Sequence, residues 1–162
     1  MSAIAPRNGW VIFATFVIAL MLTWLPLPSA LEVLRPEWVT LVLIYWCLAI
    51  PERIGVTVGW CVGIVLDVAG GALLGQHALA LALIAFIVIK LHKRIRLFPI
   101  WQQAVIVMLL MMLAQLISVW VNGAIKQPTG GVLGWLPCLS ALLFWPPLFM
   151  LLRRIRRFYR VR

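Results

Sequence analysis

Six long stretches of this chain contain almost nothing that water would solvate, and proline, glycine or charged side chains punctuate them. Inside hydrocarbon a backbone must satisfy its own N–H and C=O groups, so an uninterrupted apolar run crosses as a helix. The runs cover roughly 10–25, 38–50, 54–74, 76–91, 100–121 and 132–152. A crossing needs about 20 residues, so six use about 120 and leave about 42 for turns and tails. With 162 residues in all, a seventh crossing does not fit, and neither does a soluble domain of about 50 residues or more. Hydrophobic residues make up 65% of the sequence, against about 45–50% in a soluble domain. The runs are continuous rather than alternating, which excludes a transmembrane β-barrel. The expected architecture is an all-α polytopic membrane protein, a six-helix bundle with a short basic tail at 153–162.

The boundaries differ in clarity. The first run resembles a signal peptide, with Ser29 and Ala30 near a cleavage position. It is long for one, and Pro28 stands where a small residue belongs, so an uncleaved helix is the better reading. The second run is short. Asp67 and the Gly70-Gly71 pair interrupt the third. Kinks are expected in the sixth, at Pro137, Pro146 and Pro147.

Charge supplies the orientation. Fourteen Lys and Arg face four Asp and Glu, giving a formal charge of +10. In a soluble chain this would suggest nucleic acid. Here the cations gather at the ends of apolar runs, as in cytoplasmic loops of membrane proteins, and no nucleic-acid partner is expected. With the N-terminus inside, six spans place Arg7, Arg53, Lys90, Lys93, Arg94, Arg96 and the six tail arginines on one side. Only Arg35 and Lys126 fall on the other. A reading with an odd number of spans would put the basic tail or the basic 90–96 loop outside. Both termini are therefore expected in the cytoplasm.

The third run carries the most informative spacing. Gly55, Gly59, Gly63, Asp67, Gly71 and Gly75 recur every four residues, a stripe that drifts about 40° per step around a helix. Small residues in such a stripe let a second helix come close, where van der Waals contact holds membrane helices together. Packing within the chain's own bundle is the first reading, a seat for a partner's helix the second, and a pore or ligand path the third. Asp67 is the acid deepest in an apolar run, and such a residue needs a partner or a water cavity. His77, Gln115, Asn122 and amides near Gly70 and Gly71 are candidates. A structural polar anchor is preferred over a proton relay, which needs a chain of titratable groups.

Gln115, Ser118 and Asn122 share one helix face, enough for interhelical hydrogen bonds but not for a channel lining. Trp10, Trp24, Trp38, Trp101, Trp120 and Trp135 cluster near span ends as an aromatic belt. Cys47, Cys61 and Cys138 read as small buried hydrophobes. With His77 and His92 the only histidines, no zinc ligand set assembles. Lys93, Arg94, Arg96, Arg153, Arg154, Arg156 and Arg157 form a basic cytoplasmic rim suited to anionic lipid, and second to an acidic cytosolic partner. No motif for catalysis or cofactor binding is found.

Several segments stand out together: Arg35-Pro36-Glu37-Trp38-Val39 leading into Leu41-Val42-Leu43-Ile44-Tyr45-Trp46, and the turn Ile50-Pro51-Glu52-Arg53-Ile54-Gly55-Val56. Gly63-Ile64-Val65-Leu66-Asp67-Val68, Leu73-Leu74-Gly75, Trp101-Gln102-Gln103-Ala104 and Trp145-Pro146 with the basic tail complete the set. Together they resemble the MreD family of rod shape-determining membrane proteins, a likeness that covers roughly residues 10–157. The resemblance implies a multi-pass protein of the bacterial inner membrane in the cell-elongation machinery. It implies a fold similar to the substrate-binding subunits of energy-coupling-factor transporters. It further implies binding to MreC, proximity to RodA with its transpeptidase and to MreB, and no catalytic residues. Two other functions stay open: a small-molecule binding or transport subunit, with a polar pocket near the outer face, and a protein that handles a lipid-linked precursor.

Overall fold

The computed structural model describes residues 9–32, 34–71, 73–126 and 131–159, the side chain of Leu133 excepted. Arg7, Arg160, Arg162 and the 127–130 part of the glycine-rich loop lie outside the described residues. Among the described residues the regular structure is all helical. The order is α1 (Gly9–Trp24), α2 (Ser29–Glu32), α3 (Trp38–Ala49), α4 (Val56–Gly70), α5 (Gln76–Leu97), α6 (Ile100–Ala124), a 3-10 turn (Gly131–Trp135) and α7 (Leu136–Phe158).

Proline and glycine set most of these limits. Pro36 precedes α3 and Pro51 follows it, because the ring removes a donor and disfavours a helical residue before it. Gly71, in the left-handed region at φ 67°, ends α4 and returns its N–H to the Asp67 carbonyl. Gly75 enters α5 at φ 103°. Only glycine takes such values without cost, so the sharp α4–α5 connection depends on these two positions.

The shortest of the six long helices is the most buried. Every residue of α3 from Val39 to Leu48 is buried, and α3 touches α1, α5, α6 and α7. Trp46 donates its indole N–H to Thr15 Oγ1 at 2.9 Å, tying α3 to α1. Edge-on ring pairs, Trp38 with Phe144 and Tyr45 with Phe149, tie it to α7. The most extensive helix pair is α4 with α5, followed by α6 with α7. Helix α6 and helix α7 are long and apolar enough to cross a membrane, while α1, α3 and α4 are shorter apolar helices.

The two ends of the bundle differ in charge. At one end the start of α1 meets the end of α7, where the Trp10 and Tyr159 rings pair at 5.3 Å. Arg53 lies against Gly9 there, and Arg96 reaches the last carbonyls of α3. This is the basic end. At the other end α3 and α5 begin and α4 ends, and Arg35 donates to the Thr23 and Leu25 carbonyls that close α1.

Three boundaries depart from the sequence reading. The basic 90–96 segment is not a loop. It forms the last turns of α5, because Lys and Arg are good helix formers and a helix leaving hydrocarbon has no reason to unwind. It stops at Phe98, before Pro99. The residues 153–158 are likewise the last turns of α7 rather than a tail. The 54–74 run contains a shorter helix, because Gly71 turns the chain. Pro146 and Pro147 lie inside an unbroken α7.

Candidate functional site

The positions of the glycine stripe do not share one role. Gly59 and Gly63 face α5. A Cβ built on Gly59 would lie 3.0 Å from the Leu81 carbonyl oxygen, and one on Gly63 would lie 2.3 Å from Ala78 Cα. Ala78 and Ala85 on the facing helix are fully buried. Gly55 has only the Ile89 Cδ1 atom near it, at 4.0 Å, while Gly71 and Gly75 have open space and serve the turn.

Asp67 sits one turn beyond Gly63 and engages the same first turn of α5. It is 1% exposed. Its Oδ1 accepts the His77 backbone N–H at 3.0 Å and the His77 ring Nδ1 at 2.8 Å. Its Oδ2 accepts the Gly75 N–H at 2.9 Å and the Ala78 N–H at 3.4 Å. The first amides of a helix have no partner within it, and a carboxylate there also complements the helix dipole. Helix α5 has no cap from its own sequence; Asp67 supplies one from the neighbouring helix. Of the expected partners, His77 bonds to Asp67, and the amides are those of 75, 77 and 78 rather than those near Gly70 and Gly71. Gln115 lies elsewhere, against Gly134.

The sequence reading missed Glu37. Its Oε1 lies 3.6 Å from His77 Nε2, and its Oε2 accepts the Thr40 hydroxyl at 2.9 Å. Asp67, His77, Glu37 and Thr40 thus form one polar chain joining the ends of three helices. Thr40 standing three residues after Glu37 at a helix start was the local signal. The approach of His77, forty residues on, left no trace in the spacing.

The basic rim also divides. Arg96, Arg153 and Arg156 share a cavity of about 310 Å³ with Tyr45, Gln103 and Phe149, whereas Lys93, Arg94, Arg154 and Arg157 do not line it. Arg96 donates Nε–H to the Leu48 carbonyl at 2.6 Å and Nη2–H to that of Ala49 at 2.9 Å. It thereby caps the end of α3. Gln103 gives its amide N–H groups to the Ile95 and Phe98 carbonyls, fixing the α5–α6 corner. Lys90 lies over the Phe86 ring instead.

Two apolar recesses open sideways. One, about 510 Å³, runs between α1 and α4 and is lined by Ile12, Phe16, Leu20, Val58, Val62 and Val65. The other, about 550 Å³, lies at the opposite end from the basic one, between the 27–38 segment and α7, with Arg35, Trp38, Leu139, Leu143 and Phe144 in its wall. Cys47 and Cys138 are buried, but Cys61 is exposed on α4. The sequence reading of three buried cysteines is corrected there, because the apolar run around Cys61 has a face turned outward from the bundle.

Residues 7–155 match the family described as rod shape-determining protein MreD. The chain is 34% identical over 149 residues to the rod shape-determining protein MreD of Haemophilus influenzae, covering 90% of each chain. No solved structure matches this one.

Proposed function

Because the chain belongs to the MreD family of rod shape-determining proteins, we propose that it is a non-enzymatic inner-membrane scaffold of the elongation machinery. Six spans carry it, both termini face the cytoplasm, and it binds the single transmembrane helix of MreC. RodA with its transpeptidase would then join through MreC, and MreB would lie at the cytoplasmic face. The acids support a structural rather than a catalytic role, since Asp67 is occupied with capping α5 and Glu37 with the His77 contact. Nearly all the described chain is helix or short turn, so partners must be met mostly within the membrane.

The α1–α4 furrow carries this reading. Gly59 and Gly63 are already closed by α5, so the stripe itself has no room for a guest helix. The furrow is open to lipid and almost wholly apolar, and a helix seated in it touches both walls. In lipid such added packing is what drives helix association. The double variant Val17→Trp, Val65→Trp fills it from two wall residues that lie outside the buried core. Normal protein abundance, loss of co-purified MreC in mild detergent and rounded cells are the expected result. Rod-shaped cells with MreC still bound would refute the furrow as the seat.

A second reading has one observation behind it. The outer recess beside Arg35 is apolar, which suits a lipid-linked precursor better than the polar substrate of a vitamin-type transport subunit. Recovery of an ATPase pair with the purified protein would favour transport instead.

A further inference from the structure

We propose that the basic-end cavity between α3, α5, α6 and α7 is a specific seat for the headgroup of an anionic glycerophospholipid carrying a free hydroxyl, of the phosphatidylglycerol type. The inference rests on the proposed orientation, which puts this end at the cytoplasmic face, and not on the scaffold role. Three guanidinium groups, Arg96, Arg153 and Arg156, line one cavity. Among the described residues none of the three forms an ion pair with a carboxylate. Guanidinium groups match phosphate oxygens in charge and in fork geometry. Tyr45 lines the same cavity beside Arg156.

A second observation is independent of the charge. Gln103 also lines this cavity and is 5% exposed. Both of its amide N–H groups are used, yet among the described residues its buried Oε1 has no hydrogen-bond partner. Buried acceptors are rarely left so. A phosphate offers acceptors only and cannot satisfy this oxygen. A headgroup hydroxyl next to the phosphate can, once the Gln103 side chain turns that oxygen into the cavity it lines. The cavity therefore asks for an anion and a donor in one molecule.

The surroundings supply the tail. The Phe149 ring forms part of the wall. A neighbouring recess of about 560 Å³, lined by Met150, Leu151, Arg153, Arg154 and Arg157, shares Arg153 with it. The apolar part of that second recess lies alongside α7, where an acyl chain would run. Basic pockets between helices on the cytoplasmic side are the usual seats for such headgroups.

Native mass spectrometry of the full-length protein, titrated with lipid, tests the proposal. Phosphatidylglycerol is compared with phosphatidylmethanol, which keeps the charge but lacks the hydroxyl, and with phosphatidylcholine. Wild-type protein should retain phosphatidylglycerol at least about tenfold better than phosphatidylcholine, and better than phosphatidylmethanol. Arg153→Gln with Arg156→Gln should lose that retention. Lys93→Gln with Arg94→Gln, which removes as much charge outside the cavity, should not. Gln103→Met should erase the preference for phosphatidylglycerol over phosphatidylmethanol while both still bind. Equal losses in the two double variants would show diffuse rim attraction and overturn the proposal. So would equal binding of all three lipids, or full competition by inorganic phosphate at equal concentration. If Gln103→Met does not fold, the wild-type comparison of the two anionic lipids decides the hydroxyl alone.

Discussion

A carboxylate in an apolar run is tolerated when every one of its oxygens is claimed, and Asp67 shows how completely this is done. Three backbone N–H groups and one imidazole converge on it, all as donors. Asparagine keeps one acceptor oxygen but turns an NH₂ toward amides that need acceptors. Leucine satisfies none. Each buried group left unpaired costs roughly 1–3 kcal/mol, so Asp67→Leu should cost several and Asp67→Asn an intermediate amount. Thermal unfolding in detergent and abundance in the membrane should rank wild type, Asn, Leu. A proton-coupled role predicts a different result: cell-shape complementation lost in Asn and Leu alike, with Asn at normal abundance. The need for a partner was legible in the sequence, because an acid among leucines and valines has no other stable state. His77 was legible as a candidate. Glu37 was not, because nothing local says that the start of α3 stands beside the start of α5.

At the scale of helices, the four-residue spacing identified a close-packing face but not its extent. Two of the six stripe positions, Gly59 and Gly63, meet a neighbour closely, one caps it, and two turn the chain. A stripe drifting about 40° per step stays under a straight neighbour for only two or three turns, which is why Gly55 has left the contact. Alanine substitution should therefore be graded. At Gly63 the new Cβ meets backbone at 2.3 Å, at Gly59 at 3.0 Å, and at Gly55 a single flexible methyl at 4.0 Å. Overpacking costs about 1–3 kcal/mol, so Gly63→Ala should reach or exceed the top of that range. Gly59→Ala should be milder, and Gly55→Ala close to neutral. Unfolding midpoints of the three single variants check the order, and equal midpoints would mean that the α4–α5 seam is looser than this geometry. Helix ends were less legible. Apolar runs report where hydrocarbon stops, not where a helix stops, so α5 and α7 both outlast their runs. Only prolines and left-handed glycines marked true ends. The central place of α3 was also hidden, because a run apolar on all sides reads alike whether lipid or protein surrounds it.

Across the whole molecule, the helices have unequal lengths. At about 1.5 Å per residue, the 12-residue α3 spans about 18 Å and the 25-residue α6 about 37 Å, against a hydrocarbon core of about 30 Å. The polar chain of Asp67, His77 and Glu37 joins the ends of the shorter helices α3 and α4 to the start of α5, and Asp67 within it is 1% exposed. A group so buried must find its partners in the protein rather than in water. The other end of the bundle has the opposite character. Arg53 and Arg96 lie there beside the end of α7 with its arginines, and Trp10 pairs with Tyr159. The start of α1 and the end of α7 thus both lie on the basic side. The expected orientation follows from the tendency of cytoplasmic segments to hold Lys and Arg. Moving the end of α7 outward would carry Arg153, Arg154, Arg156 and Arg157 across, at about 2.5–3.5 kcal/mol for each charge brought to the bilayer centre. A reporter fused after Arg162 should be active only if it is a cytoplasmic type, and one inserted after Lys126 only if it is a periplasmic type. The ring pair supplies an internal check. With Cys47, Cys61 and Cys138 replaced, cysteines at 10 and 159 should cross-link through a short bifunctional reagent, since the native ring centres are 5.3 Å apart. Periplasmic activity after Arg162 would reverse the orientation, and failure to cross-link in folded protein would separate the ends of α1 and α7.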